Sequence, residues 1–231
     1  MQIAAGVVGG AGLWGEPVGE VANSYPTLLL PGGGAFSIWS LIYVTFAALA
    51  VRQALPTQRH RAVHRRTGWW LVAAGILNAG WVALFAHRLV TVAQVVIVGL
   101  LVCLGIAAMR LARVPATGWG DRLLLHTPVT VYAGWVAVAT VAGAATTAAS
   151  FDAAPSTASA AAAVLLTGAA AALAALRLPA VVGFASAVCW ALAWIAAATP
   201  SAPVRATALG AILLVAVAVP LRLRQDGRAF S

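Results

Sequence analysis

The chain of 231 residues has no lysine, only five acidic residues and only two cysteines. With 8% of its residues charged, it lacks the surface that keeps a soluble domain of this size in solution. Cys103 and Cys189 both sit inside apolar runs, which excludes a disulfide framework and a cysteine-based metal site. There is no Walker-type phosphate loop, no HExxH and no nucleophile elbow. The glycines at 32–34 follow no strand and fit no dinucleotide fingerprint, so they read as a flexible loop at the start of a helix. No Asp or Glu falls in the middle of an apolar run, which removes the usual relay of a proton-driven pump. Paired carboxylates for acid–base or glycosidic chemistry are missing as well. These absences predict a protein that is not an enzyme and holds no metal.

What remains is apolar. Hydrophobic residues make up 62% of the chain, in recurring runs of about twenty residues, the length that crosses a bilayer as a helix. The fold class expected is all-α, a polytopic bundle integral to the membrane. Spans are expected at 1–13 (short), 34–52, 68–86, 90–110, 123–149, 157–177, 179–198 and 204–221. The N-terminal run has no basic n-region and no clear cleavage site, so a removable signal peptide is not expected. The run 123–149 is long, and Pro128 inside it removes a hydrogen bond to the Leu124 carbonyl, predicting a kink, a tilt or an extension beyond the bilayer. The run at 157–177 is almost pure Ala and Leu, a composition that packs helices closely in lipid.

All fourteen basic charges other than histidine are arginines. They lie between the apolar runs, which argues against nucleic acid and for topology signals and lipid headgroups. Alternating the spans places Arg52, Arg59, Arg61, Arg65, Arg66, Arg110, Arg113, Arg122, Arg177, Arg222, Arg224 and Arg228 on one side, and only Arg88 and Arg205 on the other. The positive-inside rule makes the first side cytoplasmic, including the C-terminus. Arginine without lysine, beside so much Ala, Val and Gly, suggests a GC-rich bacterial genome and hence an inner-membrane location.

Three expected helices carry aromatic and polar residues on one face. Phe36, Trp39 and Tyr43 are spaced i, i+3, i+7; Asn78, Trp81 and Phe85 repeat that spacing; Tyr132 and Trp135 are three apart. If those faces converge they wall a pocket for a large planar or greasy ligand. Trp14, Trp69, Trp70 and Trp119 read instead as anchors in the membrane–water interface, and Trp190 and Trp194 fit that account moderately well. Asn78, mid-span, is expected to hydrogen-bond another helix. Gln94 is expected to reach water, and His126 reads as an interfacial or hydrogen-bonded histidine rather than a haem ligand.

The order and wording of "AFSIWSLIYV", "LNAGWVALF" and "HTPVTVYAGWVAVAT" resemble the TspO/MBR family, the tryptophan-rich sensory or translocator proteins, and most nearly its longer bacterial members. The resemblance implies a five-helix core over 1–149 and about three additional C-terminal helices over 150–231. It also implies a bundle pocket for tetrapyrroles such as protoporphyrin or haem, used in sensing or transport, with no cofactor required. Carried over by motif, Phe36, Trp39, Tyr43, Asn78, Trp81, Tyr132 and Trp135 are the ligand-binding candidates, and the loop 14–33 is the lid. Two departures stand out: Gly33 and Gly34 occupy the place of a loop Trp, and Gly143 that of an Asn. The partners expected are the lipid membrane, a hydrophobic small molecule and, by analogy, a second copy in a homodimer. The competing reading is a structural or regulatory subunit packed on a partner complex through its Ala-rich helices, with small residues spaced as Ala139 and Gly143 are.

Overall fold

A computed structural model describes residues 15–58, 61–114, 116–178 and 181–226. The expected first span and Trp14 lie outside the described residues. Among these residues there is no strand, and seven helices are long and apolar enough to cross a membrane. A short helix, α1 (Val18–Asn23), and a 3-10 turn (Gly33–Ser37) precede α2 (Ile38–Ala54). Then come α3 (Ala62–Ala86), α4 (Val90–Ala112), α5 (Thr127–Ala149), α6 (Thr157–Ala175), α7 (Val181–Ala198) and α8 (Ala202–Asp226). The chain is thus an all-α polytopic membrane bundle, as its composition predicts. The largest shift from the expected boundaries is at α3, which begins six residues before 68. Hydropathy marks the edge of the oil, whereas a helix continues into the interface as long as its backbone bonds are made.

Small residues set the closest approaches. A Cβ on Gly134 of α5 would stand 2.5 Å from the Phe184 carbonyl of α7. One on Gly183 would stand 2.6 Å from Thr130 Oγ1. Gly168 of α6 meets Ala211 of α8 so closely that a Cβ would overlap it. With lipid as the solvent, packing of this kind replaces the hydrophobic effect as the force between helices. The Ala-rich face of α6 is therefore spent on α8, inside the chain. Ser156 begins α6 as its N-cap, its side chain accepting from Ser159 N at 3.3 Å.

The long fifth span resolves the problem of its proline without a sharp break. It runs from Trp119 to Ala149, and a π turn at Arg122–His126 leads into α5 just before Pro128. A wider turn shifts the register of the donors so that a residue without an N–H is accommodated. Thr130 donates its hydroxyl to the His126 carbonyl at 3.0 Å, giving that carbonyl a second kind of partner.

At the same end, Asp121 is buried and holds two arginines from distant segments. Arg52 Nη2 lies 2.5 Å from its Oδ1, and Arg61 donates to both oxygens at 2.6 Å. Thr117 adds its N–H at 3.0 Å and its hydroxyl at 2.7 Å. One carboxylate thereby ties the end of α2, the start of α3 and the approach to α5. Removing one partner of a buried pair leaves the other charge uncompensated. Both arginines reach solvent in part, 14% and 24%, which lowers the expected cost. Asp121→Asn should destabilise the protein by about 2 kcal/mol, read as a lower unfolding midpoint in detergent micelles. An unchanged midpoint would count against this tie.

Candidate ligand-binding site

Trp39 is the second residue of α2, directly after the 3-10 segment, and three helices bring aromatic rings to it. Its ring stacks on Tyr43 of its own helix at 5.6 Å between centroids, 23° between planes. It stacks on Trp81 of α3 at 6.0 Å and 26°. From α5, Tyr132 at 5.7 Å and Trp135 at 6.1 Å meet it edge-on. Phe36 meets Trp135 at 6.2 Å, and Phe85 stacks on Trp81 at 5.3 Å. Offset and edge-to-face pairs of this kind are each worth about 1 kcal/mol beyond their burial. The faces expected from helical spacing therefore converge.

Above these rings lies a cavity walled by Phe36, Trp39, Trp81, Phe85 and Trp135, with α1 and the loop after it as roof. Its free volume is about 50 Å³, room for a few waters. Below, Tyr43, Asn78 and Tyr132 form a buried layer that does not line it. Asn78 donates to Tyr43 Oη at 3.4 Å, a bond between α3 and α2. Three buried polar atoms, Asn78 Oδ1, Tyr132 Oη and Trp135 Nε1, have no hydrogen-bond partner in the protein. Of the three residues, Trp135 alone borders the cavity.

The roof is fastened at both ends. Arg88 grips Glu16 with two bonds of 2.6 Å and reaches Ser24 Oγ at 3.2 Å. Glu16 N donates to the Ala86 carbonyl at 3.2 Å. Arg88 takes this position with φ 60°, the left-handed conformation common just past a helix end. Gly15 has φ +139°, and a Cβ there would sit 2.8 Å from the Ala86 oxygen. At the other end Gly32 N donates to the Trp194 carbonyl at 3.3 Å, and Trp190 Nε1 donates to the Ala35 carbonyl at 3.1 Å. A Cβ on Gly34 would fall inside the Trp194 ring.

Several residues take a place here that the sequence did not indicate. The glycines, expected as a flexible loop, lie in and just before a 3-10 turn against α7, where Gly32 and Gly34 make room for Trp194 and Gly33 faces open space. Trp190 and Trp194, which the sequence placed moderately well as interface anchors, also hold that turn; their four-residue spacing on one helix face was the available signal. Gln94, expected to reach water, borders the cavity and donates to the Thr140 carbonyl at 3.1 Å. Ala139 and Gly143, the small pair that suggested a partner surface, border it too, and a Cβ on Gly143 would lie 2.6 Å from Gln94 Oε1. His126 is buried away from the cavity. Among the described residues no three His, Cys, Asp or Glu gather as metal ligands would. Trp69 and Trp119 are exposed, and Trp70 and Trp119 each lie under an arginine, Arg110 at 5.3 Å and Arg122 at 5.4 Å.

A family model described as TSPO-like protein matches residues 3–221, and so extends through α6, α7 and most of α8. No curated protein and no solved structure matches the chain.

The Arg88 hydrogen bonds hold the Glu16 carboxyl below its ordinary value of 4.5, against a smaller desolvation effect. A lowered carboxyl pKa contributes stability that is present above the unfolded value and lost as pH falls through the folded one. The roof should therefore loosen only below pH 4.5. Hydrogen exchange of residues 16–25, corrected for intrinsic rate, should rise there. In Glu16→Gln it should already be raised at neutral pH and should not respond to acid. Equal exchange in the two proteins at neutral pH would rule out a latch.

Proposed function

The chain belongs to the TSPO-like family, and we propose that it is a membrane protein that binds a hydrophobic planar ligand for sensing or transport. A porphyrin or haem-type tetrapyrrole is the leading candidate. The observation that carries this reading is the meeting of five aromatic rings, four from three helices and one from the 3-10 turn, around one cavity under a fastened roof. Flat π faces suit a flat macrocycle, and Trp135, whose buried Nε1 has no partner in the protein, borders the cavity. The free volume of about 50 Å³ is well short of the ~300 Å³ or more of ordinary ligand sites. Binding therefore requires the roof at 16–32 to lift away from Arg88, Trp190 and Trp194. On this reading α7 belongs to the site, since it supplies Ala191 to the wall and both tryptophans to the hinge side of the roof.

The residues at work are binding groups: no acid–base pair or nucleophile is asked of them, and we read the protein as a carrier or sensor rather than an enzyme. Its arginine-rich side faces the cytoplasm on the positive-inside rule, in a bacterial inner membrane. The competing reading, a subunit packed on a partner complex, rests on the exposed faces of α6 and α8, since Ala139 and Gly143 border the cavity.

Titrating the purified protein with protoporphyrin while following tryptophan fluorescence tests the proposal. Saturable quenching is expected, and Trp39→Phe combined with Trp135→Phe should weaken the Kd roughly tenfold, the loss of about 1.4 kcal/mol. Identical titrations for the two proteins would remove this cavity as the site.

A further inference from the structure

A second, larger space lies on the outside of the bundle. It is a furrow between α4 and α5 on one wall and α6 on the other, with α7 at its base. Its volume is about 630 Å³, against about 50 Å³ for the aromatic cavity, and Val138 alone borders both. It exists because small residues, among them Gly105, Ala137 and Ala170, stand where larger side chains would close it. Its wall offers oil almost throughout: Thr167, its one hydroxyl, is occupied in donating to the Ala163 carbonyl at 2.7 Å.

The furrow has one charged end. On its α6 side it extends from Leu166 to Arg177, just past the end of the helix, or about 16 Å at 1.5 Å per residue. That matches one leaflet, half of a hydrocarbon core of ~30 Å. Arg177 is exposed at the arginine-rich end and is the one charged residue bordering the furrow. Arg222, whose Nε donates to the Leu178 carbonyl at 3.5 Å, brings a second positive charge to that end.

We propose that this furrow holds one acyl chain of an anionic phospholipid from the leaflet on the arginine-rich side, with its phosphate at Arg177. The apolar wall takes the chain, and the arginine selects the headgroup.

The protein would be reconstituted into nanodiscs of equal phosphatidylglycerol and phosphatidylcholine, released into mild detergent, and weighed intact by native mass spectrometry. One retained phosphatidylglycerol is expected, in preference to phosphatidylcholine. Arg177→Gln should reduce that preference roughly fivefold, the effect of one interfacial arginine. Gly105→Leu should lower total retained lipid while leaving Arg177 in place; a Cβ at that position meets nothing within 4 Å, so the fold tolerates it. The proposal is overturned if the wild type keeps no lipid or both lipids equally. It is also overturned if Arg177→Gln keeps the preference, or if Gly105→Leu keeps as much lipid as the wild type.

Discussion

One ring does most to seat α2 against α3 and α5. The backbones of α3 and α4, of α5 and α7, and of α6 and α8 come close along much of their length, whereas α2 meets the bundle chiefly through side chains. Trp39 bridges to Trp81 of α3 and to Tyr132 and Trp135 of α5, and Phe46 adds an edge contact to Tyr132 at 5.3 Å. Long rigid rings hold two helices together while keeping their axes apart. The space left above them is the cavity, so the same interaction that attaches α2 also creates the site.

Two kinds of packing divide the molecule accordingly. Where Gly134, Gly168 and Gly183 bring backbones nearly into contact, the interface is dry and closed. Where aromatic residues face one another, it stays porous. The polar groups follow the same division. Asp121 ties three segments at one end of the bundle, and Arg88 fastens the roof at the other. Exposure separates their roles: Asp121 is 2% exposed, while Arg88 and Glu16 are each exposed by more than 40%. Water competes with the second pair and hardly with the first, which suits the first to permanent structure and the second to a release point.

Much of this could be read from the residues in order. Twenty-residue apolar runs can only be helices in lipid, because every backbone group there must be satisfied within its own segment. Helical spacing placed Phe36, Trp39 and Tyr43 on one face, and Asn78, Trp81 and Phe85 on another. Convergence of the faces was conditional on how the helices pack, and the separation of wall (Phe36, Trp39, Trp81, Trp135) from buried underlayer (Tyr43, Asn78, Tyr132) was not legible at all. Depth along a helix is a matter of one turn, while the cavity floor is set by a neighbouring helix distant in sequence.

The sequence by itself determined a helical membrane bundle, the positions of the seven spans among the described residues and the aromatic faces, because each follows from local periodicity and the exclusion of unpaired backbone from oil. Only the tertiary structure decided what Gly32 and Gly34 are for. Read locally, they are freedom of the chain; in space, Gly34 is the gap that the Trp194 ring fills, 160 residues further along. A glycine's missing side chain carries no sign of which distant group needs the room, so its purpose appears only when that group is in place.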